Sequence, residues 1–330
     1  MKRAIITGVS GQDGSYLAEL LLSHDYEVHG IVRKQHYPSR PWFDNLVRQA
    51  KLAGQRLFLH QITLHDTTAL QRLLSQVCPH EVYHLAGQSH VGLSFDIPES
   101  TCDFTGMGTL RLLEIVRSCS PPPRFLHASS SEIFGIPAQV PQDETTPHHP
   151  VSPYGAAKSL ATNLVRIYRE SYGLFACNAI CFNHESPRRG TSFVTRKITQ
   201  AAARIKLGLE SELALGDLDA QRDWGYAPDF VSGFHRLLQH HEPMDCIFAT
   251  GQLHRVQDWL DIAFNHLDLD WRNYVVFDPR FARKAEPTLL VGRPTRAQQV
   301  LHWTPSLSFD AMVIRMVEHD LQWQRMRRAA

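Results

Sequence analysis

A glycine-rich turn between the first strand-like segment and the first helix-like segment constrains this fold more than any other feature. The segment RAIIT is short and apolar, and Gly8, Gly11 and Gly14 follow it before an amphipathic stretch. Glycines at such a turn let the backbone bend sharply towards a pyrophosphate, whose charge the helix N-terminus meets. The spacing G-x-x-G-x-x-G is a variant of the dinucleotide-binding fingerprint. We expect a nucleotide-binding strand–turn–helix unit here, with an ordinary strand-to-helix turn as the alternative.

Strand-like and helix-like segments then alternate along the first half of the chain. This alternation predicts an α/β protein with a Rossmann-type, doubly wound parallel sheet. The pattern becomes less regular after Asn183. We expect residues 1–182 to form the nucleotide-binding domain, with a contribution from about 220–250. Residues 183–330 should form mainly a smaller C-terminal α/β substrate lobe, interleaved with the first domain. The strand-like segments are RAIIT, YEVHGIVR, RLFLH, EVYHLA and RFLHAS, and the helix-like ones are GSYLAELLLSH, TALQRLLSQV and GTLRLLEIVRS.

Composition limits the classes of function. A chain of 330 residues with 43% apolar residues can fill a large core, and a net charge of +1 gives no broad field for nucleic acid. The six cysteines have neither metal-ligand spacing nor a disulfide pattern, and the 19 histidines form no metal motif. No apolar run could span a bilayer. We expect a soluble, cytoplasmic protein without a metal.

Two residues four apart, Tyr154 and Lys158 in SPYGAAKS, follow a proline suited to the first position of a helix. This spacing places both side chains on one helix face. A nearby ammonium favours the phenolate and can bring the pKa of a tyrosine towards working pH as a general base. An incidental surface pair is the alternative for these two residues alone.

A serine and a glutamate lie at the end of the strand-like segment RFLHAS. Ser130 and Glu132 are at the carboxyl edge of the predicted sheet, where ligands bind. The serine hydroxyl can hydrogen-bond an oxygen that is being oxidised, and the glutamate can remove a carbon-bound proton beside a carbonyl. A plain dehydrogenase needs no such acid, so together with Tyr154 and Lys158 the glutamate favours an elimination. Structural roles remain the alternative for either residue alone.

Arg33 and Lys34 end the second strand-like segment, where NAD-binding chains often carry an acid for the ribose hydroxyl. Their positive charge suits a 2′-phosphate, which favours NADP. Solvated side chains at a strand end are the alternative.

With these motifs together, the chain resembles the extended short-chain dehydrogenases/reductases, and among them the GDP-mannose 4,6-dehydratases, nearly from end to end. The most specific matches are NHESPRRG and QRDWG; the others are TGVSGQDGSYLAELL, AGQSHVGLSFDIPE, ASSSEIFG, SPYGAAK and LSFDAMVIRMVEHDL. The resemblance implies an internal redox reaction on GDP-mannose, in which hydride passes from C4 to NADP and returns to C6 after loss of water. It also implies a homo-oligomer, a dimer or a tetramer.

The resemblance assigns roles to individual residues. Tyr154 would take the hydroxyl proton, Glu132 the C5 proton, and Ser130 stands where the family commonly has threonine. The catalytic set is Ser130, Glu132, Tyr154 and Lys158. The implied cofactor contacts are Gly8, Gly11, Gln12, Asp13, Gly14, Arg33, Leu64, Leu85, Gln88, Ser89, Tyr154, Lys158, His184 and Arg189, and the implied substrate contacts are Ser89, Asn183, Lys197, Arg222, Arg283 and Glu286.

Some positions depart from the family pattern. Thr63 stands where an adenine-binding aspartate is expected, and Asp217 where asparagine is usual. The arm after Arg33 and the segment 284–293 also differ, the latter at Lys284, Pro287, Thr288 and Arg293. These departures leave three alternatives open: the same dehydration on another nucleotide sugar such as a GDP-heptose, a 4-keto reductase or epimerase, and an inactive cofactor-binding protein.

Overall fold

The computed structural model describes residues 1–33, 40–281 and 289–329 of the chain. Its strands are β1 (Arg3–Thr7), β2 (Glu27–Val32), β3 (Leu57–Gln61), β4 (Glu81–His84), β5 (Arg124–Ser130), β6 (Ala176–Cys181), β7 (Asn183–Glu185), β8 (Leu213–Leu215), β9 (Gln221–Arg222), β10 (Trp224–Tyr226), β11 (Asp245–Phe248), β12 (His254–Arg255) and β13 (Val275–Phe277). Its α-helices are α1 (Gln12–Ser23), α2 (Pro41–Leu52), α3 (Thr67–Val77), α4 (Val91–Ser94), α5 (Pro98–Cys102), α6 (Gly108–Ser118), α7 (Pro153–Tyr172), α8 (Val194–Lys206), α9 (Ala227–Gln239), α10 (Val256–Asn265), α11 (Thr295–Leu301) and α12 (Phe309–Ala329). Single turns of other helix types occur at Asp103–Met107 (a π-helix), Ser131–Ile133, Trp271–Asn273 and Pro279–Phe281.

Seven parallel strands form the main sheet in the order β3-β2-β1-β4-β5-β6-β11. The strand order reverses between β1 and β4, which is the topological switch point of a doubly wound sheet. The prediction of a Rossmann-type parallel sheet is confirmed.

Six of the seven strands of this sheet are largely buried, and edge strand β3 is largely exposed. Every residue of β4, β6 and β11 is buried, as a parallel sheet covered on both faces requires. On one face, α1 and α9 pack with the strands around Phe230, Phe234 and Phe248. On the other face, α3, α6 and α7 pack around Leu112, Phe125 and further apolar residues.

A second core lies in the C-terminal half of the chain. Residues of α8, α10 and α12 bury Trp224, Trp259 and Phe309 with the short strand β8. Inside this core Arg196 forms an ion pair with Asp320, and the Thr199 hydroxyl donates to the same carboxylate. These contacts join α8 to α12.

After β8, β9 and β10 the chain returns to the main sheet. Helix α9 packs on α1, and β11 pairs with β6 at the edge of the sheet. Buried Asp223 accepts hydrogen bonds from the amides of Thr250, Gly251 and Gly292, and so links three distant segments. Within the described residues, no helix is both long and apolar enough to cross a membrane.

Candidate active site

The serine and the glutamate lie where β5 ends. Ser130 is the last residue of β5, and its hydroxyl accepts a hydrogen bond from the amide of Glu132 at 3.3 Å. This contact starts the single 3₁₀ turn Ser131–Ile133, which buries the Glu132 side chain to 7% exposure. The strand end and the turn therefore present a hydroxyl and a carboxylate at the carboxyl edge of the sheet.

The tyrosine and the lysine lie on the first two turns of α7. The helix begins as predicted at Pro153, and the Ser152 hydroxyl caps it by accepting the amide of Gly155 at 3.0 Å. Lys158 is 5% exposed, and its Nζ donates to the Ala128 carbonyl of β5 at 2.6 Å. This bond ties α7 to β5, so the structure brings all four predicted catalytic residues together.

Burial dominates the ionisation of this pair. It raises the pKa of Tyr154 above its ordinary value of 10.0, while a hydrogen bond with the Ser130 hydroxyl lowers it by less. Burial also lowers the pKa of Lys158 to about 8. The expectation that Lys158 brings the pKa of Tyr154 towards working pH is wrong for the protein alone. The Lys158 Nζ lies 6.0 Å from the tyrosine ring centre, and desolvation of the phenolate outweighs its charge.

The glycine turn leads directly into the N-terminus of α1. Gly8 has a φ of +73°, a backbone conformation that residues with a side chain rarely adopt. A Cβ on Gly14 would lie 2.3 Å from the Gly8 carbonyl oxygen, so this glycine is needed for packing. A Cβ on Gly11 would approach only that oxygen, at 3.1 Å, and Gly11 caps α1 without a side-chain hydrogen bond. The tight glycine turn and the uncapped amides at the N-terminus of α1 fit a pyrophosphate.

A partly buried ion pair connects the first turn of α1 to β7. His184 Nδ1 is 2.8 Å from the Phe182 carbonyl, and Nε2 is 3.0 Å from the Asp13 carboxylate. Because both partners are acceptors, both ring nitrogens carry protons and the ring is an imidazolium. Burial alone would lower the pKa of His184 and raise that of Asp13, but their mutual attraction reverses both shifts. Gln12 strengthens the link by donating to the His184 carbonyl at 3.1 Å.

Other residues of the predicted cofactor set lie at the same edge of the sheet. Arg33 follows β2, and its guanidinium is 5.1 Å from the centre of the Phe104 ring. Leu64 is buried beyond β3. The segment from Leu85 to Ser89 follows β4, and the Gln88 amide donates to the Thr105 hydroxyl at 3.3 Å.

Three of the predicted substrate residues lie around the second core, whereas Ser89 follows β4 of the main sheet. Lys197 Nζ is 3.4 Å from the centre of the Phe281 ring and 3.5 Å from the Ala214 carbonyl oxygen. Arg222 is buried in β9, and Asn183 begins β7. Arg283 and Glu286 lie outside the described residues.

A cleft of about 290 Å³ lies beside Ala214. Asp217, one of the departures from the family pattern, contributes a carboxylate to its otherwise largely apolar lining. The lining residues are Leu215, Gly216, Asp217, Leu218, Trp271, Val275, Val276 and Phe277.

Several residues of the site carried no signal in the sequence. Arg189 was expected near the cofactor, but the buried carboxylate of Glu185, 3.2 Å from its Nε, was not. Cys181 ends β6 in register with Ser130, and burial raises the pKa of its thiol. Arg40 donates to the Ser10 carbonyl of the glycine turn at 2.7 Å. Glu185 and Arg189 are only four residues apart, whereas the pairing of distant segments brings Cys181 and Arg40 to the site.

A family model described as GDP-mannose 4,6 dehydratase matches residues 5–316. The chain belongs to the GDP-mannose 4,6-dehydratase family. It is 47% identical over 326 residues to GDP-mannose 4,6 dehydratase 2 of Arabidopsis thaliana, covering 97% of this chain and 87% of that one. It is 44% identical to human GDP-mannose 4,6 dehydratase, covering 98% and 92% of the two chains.

Solved structures agree with this family assignment at the level of the fold. RMD from Pseudomonas aeruginosa, solved in complex with NADPH, superposes with a TM-score of 0.79 at 25% identity, covering 98% of this chain and 100% of that one. A dTDP-glucose 4,6-dehydratase from Bacillus anthracis, solved with NAD, gives a TM-score of 0.83 at 18% identity over 98% of each chain.

Proposed function

We propose that this protein is a hydro-lyase that dehydrates GDP-mannose to GDP-4-keto-6-deoxymannose. The observation that carries the proposal is the buried carboxylate of Glu132 beside Ser130, Tyr154 and Lys158, in a chain 47% identical to a named GDP-mannose 4,6 dehydratase. A reductase or an epimerase has no evident use for that carboxylate.

In this proposal Tyr154, as the phenolate, takes the proton from the C4 hydroxyl of the sugar, and Ser130 hydrogen-bonds the same oxygen. Lys158 supplies positive charge beneath the phenolate. Glu132 then takes the C5 proton, which the new C4 carbonyl acidifies, and delivers a proton to the C6 hydroxyl, which leaves as water. Two protons leave the sugar, one from O4 and one from C5. Two are delivered, one to the leaving group and one back to C5, so the proton taken by Tyr154 must replace the one lost in water.

We propose NADP as the cofactor. When bound, it would accept a hydride from C4, return it to C6 and bring positive charge close to Tyr154. The uncapped amides after Gly11 and the charged His184 would hold the pyrophosphate, with Gly8, Gly14, Gln12 and Asp13 forming the turn. Arg33 supports a 2′-phosphate at the end of β2. The NADPH bound to RMD, a 25% identical structure, supports the same choice.

The same proposal divides the chain by task. Residues 1–182 with about 220–250 would bind the cofactor, and the rest of 183–330 would bind mainly the nucleotide sugar. Lys197 and Arg222 supply cations for its diphosphate, and the cleft at Asp217 would accept the base. Because Asp217 departs from the family pattern at this cleft, dehydration of another nucleotide sugar is the second candidate.

We further propose that the chain works as a homo-oligomer in the cytoplasm. Exposed Leu160 and Ile167 lie on one face of α7, and Gly106, the neighbour of exposed Met107, packs against Leu160. Such a patch suits contact with a second copy. The six cysteines have free thiols, as a reducing compartment maintains.

The experiment is incubation of the purified protein with GDP-mannose and, separately, with a panel of other nucleotide sugars. Mass spectrometry follows loss of one water without added reductant. Loss with GDP-mannose supports reaction and substrate together. Loss only with another sugar supports the chemistry and attributes the departures to specificity. No loss from any sugar by protein with bound NADP would contradict the dehydratase proposal.

A further inference from the structure

A chain of hydrogen bonds crosses the switch point of the sheet, between β1 and β4. In a doubly wound sheet this is where a dinucleotide binds. Thr7 of β1 is paired with His84 of β4. The two strand ends also meet beyond that pair, since a Cβ on Gly8 would lie 3.1 Å from the Ala86 backbone. A displacement of the loop after β4 would therefore act on the glycine turn through this contact.

The hydrogen bonds at Thr7 determine the protonation state of His84 Nδ1. The Thr7 hydroxyl oxygen accepts the amides of Leu85 and Ala86, each at 3.1 Å. It also lies 2.8 Å from His84 Nδ1. Because two amides occupy the acceptor sites of the hydroxyl, its proton is donated to Nδ1, which is unprotonated.

On its other side the ring donates. His84 Nε2 is 3.1 Å from the Thr109 hydroxyl, which itself donates to the Thr105 carbonyl at 2.8 Å. The Thr105 hydroxyl accepts the Gln88 amide at 3.3 Å, so the chain of bonds returns to the loop after β4. His84 is therefore a neutral imidazole with its proton on Nε2. Burial, with a smaller effect from Lys158, lowers its pKa to about 3, so it stays neutral near pH 7.

A neighbouring histidine provides an internal comparison. His127 of β5 is in register with His84, and the two ring centres are 5.6 Å apart. Both rings are buried. Among the residues that the structure describes, neither ring nitrogen of His127 has a hydrogen-bond partner. The two histidines thus match in size, burial and location and differ in their hydrogen bonds.

We propose that His84 is a positioning residue of the cofactor site, whose two hydrogen bonds hold the Leu85–Gln88 loop against the glycine turn. The inference rests on the nicotinamide dinucleotide site proposed above. In this role His84 acts through its hydrogen bonds, so a side chain of the same size without them could not replace it. His84 touches neither the reacting atoms nor the cofactor in this role, since it acts through Thr7 and Thr109.

The test compares His84→Phe, which keeps a ring and loses both bonds, with His127→Phe as the matched control. NADPH fluorescence titration gives Kd, and hydrogen exchange of the Leu85 and Ala86 amides is followed without cofactor. We expect His84→Phe to weaken NADPH binding about tenfold, because both hydrogen bonds that hold the loop are lost. Its Leu85 and Ala86 amides should exchange faster. His127→Phe should change neither reading, and His84→Gln, which keeps an acceptor and a donor, should restore most of the affinity.

Equal Kd values and equal amide exchange in His84→Phe and His127→Phe would overturn the proposal. A purely structural role of His84 would lower the Tm but would leave the Kd and the exchange rates of the two variants the same. Should His84→Phe not fold, Thr109→Val removes one of the two bonds and is judged by the same readings. Wild-type protein that binds no NADPH would contradict the cofactor proposal. The exchange comparison, made without cofactor, would still decide whether His84 holds the loop.

Discussion

At the scale of single residues, packing against β5 determines how Tyr154 and Lys158 ionise. The four-residue spacing of Tyr154 and Lys158 correctly places both on one face of α7. Their pKa values depend on how completely α7 and β5 exclude water, which is a property of packing between distant segments. The same limit applies to His184, whose charge follows from contacts with Phe182 and Asp13.

Glu132→Gln tests the elimination step directly. The amide cannot accept the C5 proton, so release of the dehydrated product should fall by about 10²-fold or more. Binding of NADPH and GDP-mannose should remain, since the side chain keeps its size. Mass spectrometry measures the product and calorimetry the binding. The control is Glu99→Gln, an exposed glutamate; turnover of Glu132→Gln close to that of the control would refute the role.

The pH dependence tests the Tyr154–Lys158 pair. The active pair has one proton fewer than the fully protonated pair, whichever residue lost it. Since the pKa of Lys158 is lowered to about 8, kcat/KM should rise with pH through about 8 and then level off. Lys158→Arg cannot lose its proton, so ionisation must come from Tyr154, whose pKa is raised, and the rise should move to higher pH. An unmoved profile in Lys158→Arg, with Lys51→Arg at an exposed lysine of α2 as control, would contradict this assignment.

Arg33→Ala tests the choice of cofactor. Removing the guanidinium should weaken NADPH binding and leave NADH binding almost unchanged, because only NADPH carries the 2′-phosphate. The ratio of the Kd for NADH to the Kd for NADPH should fall by about tenfold, equivalent to about 1.4 kcal/mol. Arg56→Ala, which removes an exposed arginine that pairs with Glu27, is the control. An unchanged ratio would remove Arg33 from the site.

At the scale of elements, prediction succeeds where the pattern is local. The predicted segments correspond to β1–β5 and to α1, α3 and α6, because each carries its own apolar period. Helix α2 was missed, since the segment around PWFDNLV was interpreted only as an arm. Strands β6 and β11 were also missed, because a short buried run is not diagnostic by itself. The two-residue strands β9 and β12 exist only through their pairing with each other.

Asp320→Asn tests the link between α8 and α12. The substitution leaves the buried Arg196 guanidinium without its counter-charge, which should lower the free energy of unfolding by about 3–5 kcal/mol. Thermal and urea unfolding measure the loss. Asp310→Asn changes an exposed carboxylate on the same helix and should leave stability within about 0.5 kcal/mol. Equal stability of the two variants would show that the ion pair is dispensable.

At the scale of the whole molecule, two cores share an interleaved chain. The sequence predicts a doubly wound sheet followed by a less regular lobe, and the sheet is confirmed. It does not predict that Asp223 would bind segments near residues 250 and 292, because those contacts join residues far apart in sequence. The site lies where the ends of β1, β4, β5 and β7 meet, so its geometry depends on both cores.

The apolar patch on α7 gives a test of assembly. Replacing Ile167 by Glu places a charge in a surface that, in the proposed oligomer, is covered by a second copy. Desolvating that charge without a partner is unfavourable, so the variant should shift towards monomer. Light scattering coupled to size-exclusion chromatography measures the mass. Leu209→Glu, at a comparably exposed leucine outside the patch, should keep the wild-type mass. Because Tyr154 and Lys158 lie on the same helix, dissociation should also lower turnover. An Ile167→Glu protein of wild-type mass would show that this face of α7 is not the interface.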